Sequence, residues 1–444
     1  MMRIPRSCNR PPAATPRRVS SVVLTALFAL TGVGHVDAQT LSRLPGFPPD
    51  VSDIRAQFAD SAFAPLSTLA RFDERVVASR RGAVPVRVST EFTPAHAYMI
   101  FVPQRDDAFA VDTAGTYVLR RSRSDALADQ IKIFLRDGPD FFVRVFPIDH
   151  DRTEMDVYLG GVRTHHRIPL PVGIRRVLEE PLDRLLALTD RRVAWARFYP
   201  PTDHDGYRVV GDMAELARSL LHTLPDAEDG AMDEHGNLVL IESLRLQGQP
   251  GGFNCSGFAK WIVDGLMMGQ FGRWLAIDPL RRKHLEIRGH QWSHAAEDDR
   301  DPYFGLDWTR NLATALLSAS LGVKEVHPES ADVRSVAFSE YREDVGYPVV
   351  ELARVLYLLA VAEPGHLYLG SFNREFGGDR ALNQHVHIAV LFPFFDDAGV
   401  FRIVVLERNV ESSIESLSRR FGRDHVHLVR IRADDSFTPP IIHD

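Results

Sequence analysis

Residues 251–266 read GGFNCSGFAKWIVDGL, a cysteine set between paired glycines and a run of helical periodicity. Phe258, Trp261, Ile262, Gly265 and Leu266 recur at i, i+3, i+4 and i+7 spacing, which predicts an amphipathic helix with one buried face. Asn254 is a competent N-cap, so Cys255, Ser256 and Gly257 fall in the first turn. The partial positive charge of a helix N-terminus stabilises a thiolate, and its unpaired amides can donate to an oxyanion. Gly251, Gly252 and Gly257 allow backbone or substrate to come close to the sulfur. A thiol in that setting reads as a nucleophile.

Outward from this stretch, the chain begins with Arg3, Arg6, Arg10, Arg17 and Arg18, followed by the apolar run SVVLTALFALTGVG and small residues at Val36 and Ala38. That order predicts a secretory signal peptide over 1–38 and a secreted or periplasmic location. The apolar run is shorter than the roughly 18 residues of a membrane span, and none is expected after signal removal. Cleavage would remove Cys8, leaving Cys255 as a solitary thiol where cysteines normally pair. It would also move the formal charge from −7 to −11. An acidic chain argues against nonspecific nucleic-acid binding, which needs a basic surface.

Residues 39–82 form a lead-in segment broken by Pro and Gly. From 83 to 172 short β-type runs recur (VPVRVS, AYMIFVP, TYVLRR, IKIFLR, FFVRVFP, MDVYLGG, HHRIPLP) with turn chemistry between them, predicting an antiparallel all-β module, sandwich-like or a barrel. Residues 173–198 read as helical and belong to a linker over 173–205. The remainder, 206–444, carries the cysteine helix, a largely helical insertion over about 280–360, and a return to strands in LYLGSF, HVHIAVLF, VFRIVVLER and HVHLVRI.

The segment FNCSGFAKWIVDGL resembles the nucleophile segment of the NlpC-type cell-wall cysteine peptidases, a papain-like group. AEPGHLYLG (362–370) is similar to that family's Pro-Gly-Asp-Leu turn, and the following QHVHIAV to its histidine strand. Asn254 and His366 stand where the family has aspartates, and ESLRLQGQPGGF lacks the family's tyrosine and paired glycines before the nucleophile. The resemblance implies an α+β, papain-like domain with the cysteine helix packed on an antiparallel sheet, and amide hydrolysis through an acyl-thioester. It implies peptidoglycan stem peptides as substrate and partner, and no cofactor or metal. Carried over, Cys255 is the nucleophile and His385 the base. His387, two residues on and so on the same strand face, is the alternative base. The third, orienting group should come from the next strand: an odd hairpin loop offers Glu407 and Asn409, an even one Arg408. A related acyltransferase, a lipid amidase or esterase, or a noncatalytic envelope-binding protein are the alternative readings.

His290 and His294 stand at i, i+4 with His284 and Glu286 nearby, but this matches no metalloprotease signature. No phosphate-binding glycine loop or nucleophile-elbow serine is present.

Overall fold

Between Arg75 and Leu170 apolar and polar residues alternate in eight short runs, and each run is a strand. The computed structural model describes residues 38–200, 202, 204–248, 250–288, 305–376 and 382–442; the expected signal peptide, all but its last residue, therefore lies outside the described residues. The strands are β1 (Arg75–Ala78), β2 (Pro85–Phe92), β3 (His96–Pro103), β4 (Tyr117–Ser122), β5 (Ala128–Phe134), β6 (Phe142–Pro147), β7 (Thr153–Leu159) and β8 (Val162–Leu170). Each pairs antiparallel with its sequence neighbours, giving one eight-stranded meander. The two-sheet sandwich expected from the strand spacing is thus corrected. Strand spacing reports how often the chain turns, whereas which strands share a sheet depends on distant packing.

Helices close the inner face of this sheet. Four short ones come from the lead-in segment, α1 (Ala38–Leu41), α2 (Ser52–Gln57), α3 (Ala59–Phe63) and α4 (Leu66–Leu69). Two come from the linker, α5 (Ile174–Glu179) and α6 (Leu182–Ala187). The helix expected over 173–198 breaks at Pro181, because the residue before a proline is driven out of the helical region; Glu180 is extended at φ −75°, ψ 148°. Ile54, Phe58, Val177, Leu178 and Leu185 bury against Met99, Leu119, Ile131 and Val143. Arg55 is buried among them, donating to the carbonyls of Leu178 (2.8 Å) and Glu180 (2.6 Å) with its guanidinium 3.7 Å from the Tyr117 ring centre.

The second sheet holds β11 (Tyr347–Pro348), β12 (His366–Phe376), β13 (Leu382–Phe395), β14 (Phe401–Glu407), β15 (Val410–Ser412) and β16 (His425–Arg432), in the antiparallel order β11-β16-β12-β13-β14-β15. A small hairpin, β9 (Ala231–Met232) with β10 (Leu238–Val239), precedes it. One face of the six-stranded sheet, with Leu369, Ile388, Val390, Leu406 and Val429, packs under α7 (Asp205–Leu220), α8 (Cys255–Phe271) and α9 (Gly305–Leu321). The opposite face, with Phe372, Leu391, Val405 and Leu428, meets α10 (Leu352–Ala362) and α11 (Ile414–Phe421).

That second core is continuous with the core of the eight-stranded sheet. Buried Arg136, just past β5, donates to the carbonyl of Phe198 in the linker and to that of Gly399 in the β13–β14 hairpin. Tyr199 donates to the Leu135 carbonyl at 2.7 Å. Tyr357 on α10 donates to the carbonyls of Arg197 and Phe198 at 2.8 and 3.1 Å. Tyr357→Phe keeps the ring packing and removes only this donor, so a loss of about 1 kcal/mol is expected in urea unfolding. No change in midpoint would mean the hydroxyl carries none of the joint.

The cysteine-bearing helix departs from expectation in one respect. Residues Ser256 to Met267 of α8 are buried on all sides, not on one face. The sheet lies on one side and Trp308 of α9 on another, donating to the Ser256 carbonyl at 3.0 Å. On a third side, Trp261 donates to the Pro440 carbonyl at 2.8 Å. The polar positions of the helix survive burial because Lys260 and Asp264, one turn apart, pair at 2.5 Å with both side chains fully enclosed. Asp264 also accepts from the Leu275 amide at 2.8 Å.

Candidate active site

Asn254 is extended and its side-chain oxygen accepts the Gly257 amide at 2.8 Å, so α8 begins at Cys255. The amides of Cys255 and Ser256 then belong to the first turn, which has no intrahelical carbonyl to bond. The loop before the helix is held by Gln247, whose amide oxygen accepts the Gly252 N–H at 2.8 Å while its nitrogen donates to the carbonyls of Gly252 and Val239. The glycines serve backbone packing instead of access to the sulfur. A Cβ on Gly257 would stand 1.9 Å from the Gly230 carbonyl oxygen, and one on Gly252 2.7 Å from that of Pro225.

Cys255 is a free cysteine, partly exposed, beside two histidines that both hydrogen-bond its thiol, His385 and His387. Burial alone would push the thiol up. The hydrogen bonds from His385 and His387, together with the charge on His387, outweigh it and bring Cys255 down to about 5.

The expectation that the two histidines share a strand face is corrected by a bulge. His387 is opposite Phe372 on β12, but His385 is opposite the next residue, Asn373, so Val386 has no partner of its own. The rings therefore have different neighbours. His387 lies 5.7 Å from Phe421 of α11 in a near-parallel stack and 6.1 Å from Phe372. His385 has its Nδ1 2.9 Å from the Ser371 hydroxyl, and its ring face lies against Gly305, where a Cβ would come within 2.2 Å of Nε2.

Five residues, 396–400, join Phe395 to its partner Phe401. This odd connection puts Glu407 on the side of His387, whose Nε2 lies 2.5 Å from Glu407 Oε2. Burial opposes the charge on both groups. Hydrogen bonds and charges from Cys255 and Glu407 nevertheless raise His387 to about 9, and hydrogen bonds from His387, Arg420 and Ser412 lower Glu407 to about 2. Asn409 does not join this series: beyond the end of β14, its side chain donates to the Leu224 carbonyl at 3.0 Å. Arg408 pairs with Asp226 at 2.9 Å. Cys255, His385, His387 and Glu407 thus come together, with Asn254 as cap.

Three contributors escaped sequence reasoning: Ser371, Arg420 and Gly305. Ser371 follows the Pro-Gly turn on a strand that alternation alone marks as core, and Arg420 sits in an ordinary basic run, SRRFG. No local signal separates them from structural residues.

His284 is buried, with its Nε2 2.7 Å from the Asn311 side-chain oxygen. His290 and His294 lie outside the described residues. Among the described residues no group of three His, Cys, Asp or Glu side chains is placed to hold a metal ion. No helix of the described residues is long and apolar enough to cross a membrane.

Residues 46–197 match a family described as a domain of unknown function (DUF8515). That span covers the eight-stranded sheet with α2 to α6 and ends before Cys255. No curated protein matches the chain. No solved structure matches it.

Proposed function

We propose that the protein is an exported cysteine hydrolase that cleaves an amide bond through a Cys255 acyl-thioester, on a papain-like arrangement of helix and antiparallel sheet. The observation that carries this reading is the series Cys255, His387, Glu407 at the start of a buried helix, with the thiol near 5 and the imidazole near 9. Between those values thiolate and imidazolium coexist, which is the ground state a cysteine nucleophile needs.

The thiolate attacks the carbonyl carbon, the C=O electrons move onto oxygen, and first-turn amides of α8 accept the developing charge. His387 gives its proton to the leaving nitrogen, the C–N bond breaks, and a thioester remains. Water, deprotonated by His387, then attacks the thioester and restores the thiolate. Glu407 orients the imidazole and stabilises its charged form, itself steadied by Arg420.

The resemblance to NlpC-type peptidases supports peptidoglycan stem peptides as the substrate. A second reading, an acyl-transfer or lipid-cleaving enzyme using the same series, draws on Val386, exposed between the two histidines, and on Leu246, 70% exposed in the loop before the nucleophile. Digestion of purified peptidoglycan with the wild type and with Cys255→Ala as blank, followed by mass spectrometry, tests the first. New free amino and carboxyl termini only with the wild type are expected. An unchanged muropeptide profile together with cleavage of a long-chain acyl ester would transfer the reading to the second.

A further inference from the structure

We infer that His385 is a second catalytic group at this site: a neutral imidazole that donates through Nε2–H to the oxyanion of the acyl intermediate, with Ser371 holding it in that tautomer. This rests on the acyl-thioester reading above.

The two imidazoles at the sulfur are not equivalent. His387 has a carboxylate behind it, at 2.5 Å, which favours the imidazolium. His385 has only a hydroxyl behind it, the buried Ser371 Oγ at 2.9 Å from Nδ1. One cation suffices to balance one thiolate, and the carboxylate-backed ring takes that charge. His385 therefore hydrogen-bonds the thiolate as a neutral ring, and a neutral ring can do so only as a donor. With Nδ1 engaged by Ser371, the donating edge is Nε2–H, and the Ser371 hydroxyl must donate to Nδ1.

The fold keeps this donor in place. The bulge at Val386 turns His385 toward Ser371 and α9 while His387 turns toward α11, so the two rings that hydrogen-bond the sulfur are held by different elements. Gly305, the first residue of α9, closes against the ring face of His385 so tightly that a methyl group there would overlap the ring. When Sγ–C bond formation moves the C=O electrons onto oxygen, that oxygen is one bond from the carbon attached to sulfur. A group hydrogen-bonded to the sulfur beforehand is then near it. His385 keeps its proton throughout; the proton delivered to the leaving group comes from His387. The first-turn amides of α8 supply one part of the oxyanion site and His385 the other.

The test uses p-nitrophenyl acetate, whose leaving group departs without a proton, so that the acid role of His387 drops out of the acylation rate. Acylation and iodoacetamide alkylation are measured side by side at pH 7 on wild type, His385→Phe, His385→Gln and Ser371→Ala. Because His387 sustains the thiolate, His385→Phe should alkylate within about threefold of wild type yet acylate about 100-fold more slowly. Gln, which can donate, should recover about tenfold of that loss, and Ser371→Ala should fall between wild type and His385→Phe. Acylation of His385→Phe at the wild-type rate would overturn the assignment, as would parallel loss of alkylation and acylation, which would make His385 the ion-pair partner. A wild type that alkylates readily but is never acylated would overturn the acyl-thioester reading itself.

Discussion

Replacing His387 with alanine is expected to lower turnover by about 10⁴-fold and to return the Cys255 thiol toward its ordinary range near 8.5. The imidazolium is one of the two groups that hold the thiol near 5, and it is the one with a carboxylate behind it. Removing it therefore withdraws both the counter-charge and the proton for the leaving group. In the wild type, activity should rise as pH passes about 5, where Cys255 ionises, and decline as pH passes about 9, where His387 loses its proton. Alkylation by iodoacetamide across pH 4–10 checks this directly. In His387→Ala the acidic limb should move up by several pH units; a limb that stays near 5 would assign the ion pair to His385. Glu407→Gln should keep the geometry but lose the charge behind the ring, giving an intermediate drop in turnover of about 10²-fold or more.

Arg310→Leu is expected to destabilise the protein by about 3–5 kcal/mol. Arg310 lies on α9 with its guanidinium enclosed, 2.7 Å from both Asp332 and Asp344. Its removal takes away the guanidinium that two buried carboxylates share, while Arg334 and His427 stay 3.3 and 3.4 Å from Asp332. Breaking a buried pair on one side costs far more than replacing both partners, because the remaining charge has lost its water and gained nothing. Urea unfolding measures the loss, and a change under about 1 kcal/mol would mean the carboxylates protonate or rehydrate freely. Activity should decline with stability in this variant, since α9 also carries Trp308, which ties down the Ser256 carbonyl, and Gly305, which confines His385.

These two regions differ in how far they could be read without coordinates. Asn254, Cys255 and Gly257 announce a helix start because capping and periodicity act within a few residues, and the helix begins where they place it. Of three candidates, a five-residue connection selects Glu407 and Asn409 over Arg408, and the bond of Asn409 to the Leu224 carbonyl leaves Glu407; the parity of that loop depends on where two strands stop pairing. The placement of His385 and His387 on one face failed for a related reason. Alternation assumes an unbroken ladder, and nothing in HVH marks the extra residue at Val386. The predicted one-sided burial of α8 failed because Lys260 and Asp264, which look like a solvent face, neutralise each other inside the core.

Local chemistry in the chain was enough to place a cysteine at a helix start, a histidine-bearing strand, and strands alternating through the first half. Tertiary packing decided the rest: one eight-stranded meander in place of a sandwich, two imidazoles brought to one sulfur, and Arg310 enclosed by carboxylates. The division follows the range of the forces. Capping, periodicity and turn preference act over a few residues, whereas pairing partners, bulges and burial are set by segments that meet only when the core closes.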